Sequence, residues 1–254
     1  MKRSFILCLW SILAVMPAWA QKTARLFSPD KRLVYDLRLT DSFPVYSVTY
    51  KGIPLIVSSS LSLSFKDQRD LGAKMKLADV AIREGVEDYS LLTGKTSHVR
   101  DGYREMILTL KETIAPFRRI KLIVRAFDDG LAFRYEFPQQ EGWTSLQLTG
   151  EHTRFRLAGD PRIKALLLPN FTSSHEGEYT TTSWNSLKAD TLMDMPALFE
   201  FPGHYYIAIT EAALLDYAGM YLEKHDHDLT GRLAPLPHGS GLCVRTDLPH
   251  YSPW

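Results

Sequence analysis

The chain has 254 residues, is 45% hydrophobic and 23% charged, and sets 30 basic against 29 acidic residues for a formal net charge of +1. That apolar fraction excludes a disordered chain, which lacks the side chains to bury a core. The balanced charge, without any basic block, argues against a dedicated nucleic-acid binder.

Met1–Ala20 reads as a secretory signal peptide. Lys2 and Arg3 form the charged start, Phe5–Met16 the apolar stretch, and Ala18-Trp19-Ala20 the small-x-small cleavage pattern that makes Gln21 the mature N-terminus. About 12 apolar residues are too few for a span, which needs about 20. No other long apolar run occurs, so no membrane span is expected. Removing the signal leaves 28 basic against 29 acidic residues, a net charge of −1. Cys8 lies inside the apolar stretch rather than just after it, so a lipoprotein anchor is not supported. Cys243 then stands alone, in the apolar run Gly-Leu-Cys-Val-Arg, where a small buried hydrophobe is expected. One cysteine cannot make an internal disulfide, so an exported domain of this size must rest on its core, which suits a bacterial periplasm.

Along the mature chain the dominant period is two. Leu33, Tyr35, Leu37 and Leu39 alternate with Val34, Asp36, Arg38 and Thr40, which predicts a half-buried strand. Val45–Tyr50, Lys51-Gly52 and Ile53–Val57 predict a hairpin. Leu61, Leu63 and Phe65 alternate next, and Met106, Leu108 and Leu110 do the same. Ile120–Phe127 and Leu131–Phe137 flank Asp128-Asp129-Gly130, a tight hairpin in which the glycine is expected to supply a positive φ. Further strands are predicted at Thr153–Leu157, Lys164–Leu168, Tyr205–Thr210, Met220–Leu222 and Leu242–Thr246. Glu211–Asp216 is either a strand continuation or a single helical turn. Short strands at this spacing predict an all-β fold, sandwich or barrel, with at most a few short helices.

No nucleotide fingerprint, G-x-S-x-G, H-E-x-x-H or CxxC is present, so several hydrolase, zinc and redox chemistries lose their usual warrant. In His225-Asp226-His227-Asp228 adjacent residues on a strand would face opposite ways, so a solvated turn is expected there rather than a metal cluster. Pro169–Tyr179 (PNFTSSHEGEY) puts His175, Glu176 and Glu178 on one polar loop. Calcium takes six to eight oxygen ligands, so a site there would need ligands from elsewhere. Trp143, Trp184 and Trp254 sit in loop-like contexts where an indole face could stack on a sugar, although aromatics of a β-sandwich mostly fill its core.

Several segments in order resemble the N-terminal domain of glycoside hydrolase family 97, exported bacterial α-glucosidases and α-galactosidases. They are Ser28-Pro29-Asp30, Tyr46–Gly52, Arg125–Gln140, Glu151-His152-Thr153-x-Phe155, Ile209–Tyr217 and the final Ser252-Pro253-Trp254, which looks like the start of a Thr-Pro-Trp-Arg junction. The resemblance covers essentially the whole mature chain, residues 21–254, and implies a large β-super-sandwich of two antiparallel sheets. It also implies a following (β/α)₈ barrel that holds the catalytic carboxylates and most ligands of a catalytic calcium, with one sandwich glutamate reaching in. Registering Pro169 and Tyr179-Thr180 with the family pattern puts that glutamate at Glu176, or at Glu178 if the register slips by two. No catalytic residue is expected in this chain itself, and a barrel of about 250 residues cannot be hidden in it. The implied partners are α-linked oligosaccharides and the barrel, in cis or from a neighbouring chain. One departure stands out: where family members often carry Trp-x-Pro-Val-x-Gly-Glu, this chain has Tyr89–Lys95, which keeps only the glycine. The competing expectation is a stand-alone carbohydrate-binding sandwich that stacks exposed aromatics on glycans.

Overall fold

The computed structural model describes residues 22–225 and 228–254, so the signal-peptide segment and its cleavage at Gln21 lie outside the described residues. The described chain is all-β and antiparallel, with Pro237–Gly239 as its one helical turn. Among the described residues no helix is long and apolar enough to cross a membrane.

Among the described residues five hydrogen-bonded sheets surround one main core. The first is a meander of Thr23–Phe27, Leu33–Leu39, Pro44–Tyr50 and Ile53–Ser60. In the second, the spatial order is His250–Tyr251, Leu131–Phe137, Arg119–Ala126, His98–Glu112 and Met75–Ser90. A third runs Val244–Asp247, Ser145–Glu151, Leu63–Phe65 and Gln68–Leu71. The fourth orders Arg154–Phe155, Asp228–Leu233, Met220–His225, Leu192–Met193 and Leu167–Leu168. The last orders Thr180–Ser183, Arg162–Ala165, Ala197–Phe201 and Tyr205–Ile209. Side chains tie them together: the Tyr46 hydroxyl donates to the Arg154 carbonyl at 2.7 Å, and Tyr46 meets Phe133 of the second sheet edge-on at 5.5 Å.

The alternation seen in the sequence is the burial pattern itself. Leu33, Tyr35, Leu37 and Leu39 are buried, as are Met106, Leu108 and Leu110, because each strand turns one face to the core. Lys51 and Gly52 both take positive φ, 50° and 78°, the two-residue turn that matches the twist of a hairpin. Gly130 does not. Phe127 donates its N–H to the Gly130 carbonyl, so Asp128 and Asp129 are the central turn residues and the glycine lies just before the returning strand. Glu211–Asp216 is neither strand nor helical turn; its path is irregular, with positive φ at Ala213 and Asp216. The run predicted at Lys164–Leu168 divides between two sheets, Arg162–Ala165 and Leu167–Leu168.

The largest element only partly signalled in the sequence is a ribbon of Met75–Ser90, which carried no signal, against His98–Glu112, signalled only over Met106–Leu110. The third strand pairs with it only over Arg104–Lys111, so beyond Glu84 and Arg104 the ribbon is a two-stranded arm. Its end exposes Val86, Tyr89, Leu91 and Leu92. Gly85 is required there because a Cβ would approach the Tyr103 ring to 2.5 Å.

Glu151 is buried, and its carboxylate accepts from the Thr153 and Tyr217 hydroxyls, each at 2.8 Å. Burial pushes its pKa above the ordinary carboxylate value, against the lowering effect of those two hydroxyls, and the nearby Glu211 adds to the rise. A carboxyl raised by folding contributes stability below its unfolded pKa and loses it as pH rises through the folded value. Glu151→Gln is therefore expected to gain stability relative to the parent at pH 8 and not at pH 4. Urea unfolding at the two pH values checks this; an equal difference at both would show that Glu151 is not held neutral.

Candidate functional site

The loop 169–179 leaves the edge strand Leu167–Leu168 of the fourth sheet and returns as Thr180–Ser183 of the fifth. It sits beside a small apolar cluster of Leu166, Leu168 and Leu192, onto which Phe171 and Tyr221 pack. Phe171 meets Tyr221 edge-on at 5.0 Å. Asn170 starts the loop as an Asx turn, its side-chain oxygen accepting from the Thr172 N–H and hydroxyl, both at 2.9 Å.

His175 fixes the middle of the loop. Its Nδ1 lies 2.9 Å from Asp194 Oδ2 and its Nε2 lies 3.3 Å from the Tyr221 hydroxyl. Asp194 is held in turn: its second oxygen accepts the Met195 N–H at 2.9 Å, and its own N–H donates to the Leu166 carbonyl at 2.9 Å. His175 itself takes a positive φ of +57°. Glu176 and Glu178 are exposed, and neither carboxylate has a hydrogen-bond or ion-pair partner among the described residues. The histidine thus holds the loop while the two glutamates face outward as free oxygen donors.

Asp194 and Tyr221 were missing from the sequence reading. They lie 19 and 46 residues from His175, Asp194 just past the strand Leu192–Met193 and Tyr221 on the neighbouring Met220–His225, and no local motif connects them. Among the described residues no group of three or more His, Cys, Asp and Glu side chains could hold a metal ion. The loop therefore fits a hard cation as the source of a carboxylate ligand and does not fit it as a complete cage.

The other sequence candidates resolve differently. Trp143 and Trp184 are 4% and 3% exposed, so neither offers an indole face to a sugar. Trp143 meets Phe65 and Phe137 edge-on, and Trp184 lies under the Lys224 ammonium, which donates to the Trp184 and Leu187 carbonyls. The Arg125 and Arg134 guanidinium carbons stand 4.5 and 4.1 Å from the centre of the Trp254 ring. His225 and Asp228 pair across the hairpin, and residues 226–227 lie outside the described residues. Asp228 departs from the solvated turn expected for it: it is buried, and accepts from Arg154 and Arg156, whose charges hold its pKa down against burial. Cys243 is a buried free thiol, its pKa pushed up by burial, as the apolar run predicted.

Fold and loop together define a large antiparallel β domain with an anchored polar loop presenting two free carboxylates. The chain belongs to the family described as glycosyl-hydrolase 97 N-terminal, whose profile matches residues 26–254. It is 25% identical over 237 residues to a retaining alpha-galactosidase of Bacteroides thetaiotaomicron, covering 89% of this chain and 34% of that protein. The solved glycoside hydrolase family 97 enzyme of Pseudoalteromonas sp. strain K8, in complexes with panose (as its E480Q variant) and with acarbose, superposes with a TM-score of 0.83 at 27% identity. That match covers 91% of this chain and 34% of the enzyme. A beta-arabinopyranosidase shares the fold, with a TM-score of 0.80 at 21% identity over 91% of this chain and 39% of that one. The chain thus spans about a third of the length of the glycosidases it matches.

Proposed function

We propose that this domain is the N-terminal sandwich of an exported, periplasmic α-glycosidase. It helps shape a pocket for α-linked oligosaccharides and lends Glu176 to a calcium ion held mainly by a following (β/α)₈ barrel. The observation that carries this reading is the free, outward-facing Glu176 carboxylate on a loop clamped by His175, Asp194 and Tyr221. A ligand with no competing cation on its own domain is available to a metal whose remaining ligands come from another. When bound, calcium supplies a fixed positive charge that can polarise an oxygen at the reacting centre. The sandwich by itself is not expected to cleave a glycoside, because cleavage normally uses a pair of carboxylates flanking the bond. A free-standing sugar-stacking module is less well supported, since two candidate tryptophans are buried and the third is packed by arginines.

The test uses the domain continued into its barrel. Glu176→Gln is expected to weaken calcium binding, measured by equilibrium dialysis, by about tenfold or more, with a parallel loss of turnover of aryl α-glucosides or α-galactosides. Glu178→Gln is expected to leave both unchanged, and both variants should unfold within about 0.5 kcal/mol of the parent because neither side chain has a partner to lose. Unaltered calcium affinity in Glu176→Gln would remove that residue from the site, and loss in Glu178→Gln alone would shift the register by two.

A further inference from the structure

A cavity of about 580 Å³ lies between two strands that belong to different sheets. Residues 129–135 line one wall and residues 204–212 the other, each as an unbroken run, so the walls are strand edges as well as side chains. Tyr205–Ile209 is the terminal strand of its sheet. Leu131–Phe137 has a neighbour on its outer side only at Glu136 and Phe137, which pair with Tyr251 and His250. The hydrogen bond from Phe127 to Gly130 sets the ladder's phase. By alternation, Leu131, Phe133 and Tyr135 then turn their N–H and C=O away from Arg119–Ala126 and into the cavity. Tyr135 confirms that phase: its carbonyl accepts the Ser252 N–H at 3.0 Å and its N–H donates to the Ser252 hydroxyl at 2.9 Å. For Leu131 and Phe133 no main-chain partner exists on that side among the described residues.

The chain's own last residues enter this slot. Ser252 is bonded to one wall at Tyr135, and two residues later Trp254 exchanges N–H and C=O with Ala212 on the other, at 2.9 and 3.2 Å. A strand running on from Trp254 would lie antiparallel to both edges and would pass from Ala212 toward Tyr205, about seven residues or roughly 23 Å of extended chain. Its floor is the inner face of the first sheet, with Tyr46, Val48, Leu55 and Ile56. Alternate apolar residues would meet that floor.

We propose that the slot is the seat of a β-strand formed by the residues following Trp254 in the longer protein, which hydrogen-bonds to both edges and joins the second and fifth sheets. This rests on the reading of the chain as the first part of a longer glycosidase. A second copy is a poor occupant, because an edge strand still attached to its own sheet cannot enter a slot walled on both sides. The occupant is an extended, proline-free segment with alternating apolar side chains, and pairing through the main chain makes it tolerant of sequence otherwise.

The test extends the 254-residue chain after Trp254 by seven alternating valines and threonines, and compares a matched extension with proline at every second position. Amide hydrogen exchange is read at Leu131, Phe133 and Tyr205–Ile209. The alternating extension is expected to slow exchange about tenfold or more at both edges, and the proline extension at neither. Unchanged exchange, protection of one edge alone, or equal protection by the proline extension would overturn the proposal. So would a chain without extension that is dimeric by light scattering and already protected at both edges in proportion to its concentration. Should the extended chain fail to fold, the same exchange measurement with the free heptapeptide decides, an N-methylated heptapeptide serving as the control. No barrel, calcium or sugar enters this experiment, so its failure and failure of the glycosidase reading are read separately.

Discussion

Glu112→Ala is expected to destabilise the domain by about 3–5 kcal/mol, the cost of stranding a buried charge. Glu112 and Arg118 are 0% and 2% exposed. The Arg118 main-chain N–H, Nε and terminal nitrogen all donate to the Glu112 carboxylate, and Arg69 adds a further donor at 2.7 Å. Arg118 also donates to the Arg69 carbonyl and the Gln68 side chain, and its guanidinium lies over Phe65 and Trp143. Burial alone would push the Glu112 pKa up; the hydrogen bonds from Arg118 and Arg69 outweigh it and hold the pKa below the ordinary value. For a domain of this size such a loss lowers the thermal midpoint by roughly 10 °C. Replacing both partners with methionine should cost much less, because neither member of the pair is then left buried without its counter-charge. Calorimetry on the single and double variants checks the pair. A double variant as unstable as Glu112→Ala would show that the geometry of the ion pair, and not the stranded charge, carries the effect.

Trp254→Ala is expected to cost about 2–3 kcal/mol, less than a fully buried tryptophan because the ring is only half-buried. The loss spreads beyond one contact. Arg125 lies 4.4 Å from the Tyr103 ring as well as 4.5 Å from Trp254, and Arg134 lies 4.6 Å from Tyr251 as well as 4.1 Å from Trp254. Arg125 is also tied to the buried Glu105 and to Glu87, and Arg83 reaches the same Glu105. The result is a continuous stack of ring, guanidinium, ring, guanidinium and ring across the outer face of the second sheet. Trp254→Phe should recover about half of the loss, since a smaller π face still attracts both cations. Urea unfolding of the two variants provides the comparison; identical losses would mean that main-chain pairing with Ala212, not the stack, holds the end of the chain.

Much of the fold could be read from the sequence wherever a strand buries one face. Leu33–Leu39, Met106–Leu110 and the Lys51-Gly52 turn show this, because alternation and positive φ leave direct marks on residue choice. Met75–Ser90 left none. Over Glu84–Ser90 neither of its faces is fully buried, so its side chains follow no two-residue rhythm. The tryptophans follow the general rule for sandwich aromatics: Trp143 and Trp184 lie in irregular segments yet point into the core, because segment type says nothing of side-chain direction. On the loop, the carboxylates and the imidazole were legible as a group because they are adjacent in sequence. Their anchor was not, since Asp194 and Tyr221 arrive from separate strands through the topology of the sheets. The slot between Leu131–Tyr135 and Tyr205–Ile209 was equally invisible, because pairing on one side of a strand is not written in its side chains.

The two-stranded arm beyond Glu84 and Arg104 bears on how such a protein changes over generations. A segment with partners only across the ribbon can gain or lose residues two at a time in each strand, and each such change keeps every remaining side chain on its own face. No core residue has to move in response. Tyr89–Lys95, where this chain departs from the pattern it otherwise resembles, sits at the end of that arm and in the turn beyond it. The interior does not feel a change there, which leaves the arm's tip free to be reshaped by whatever it meets.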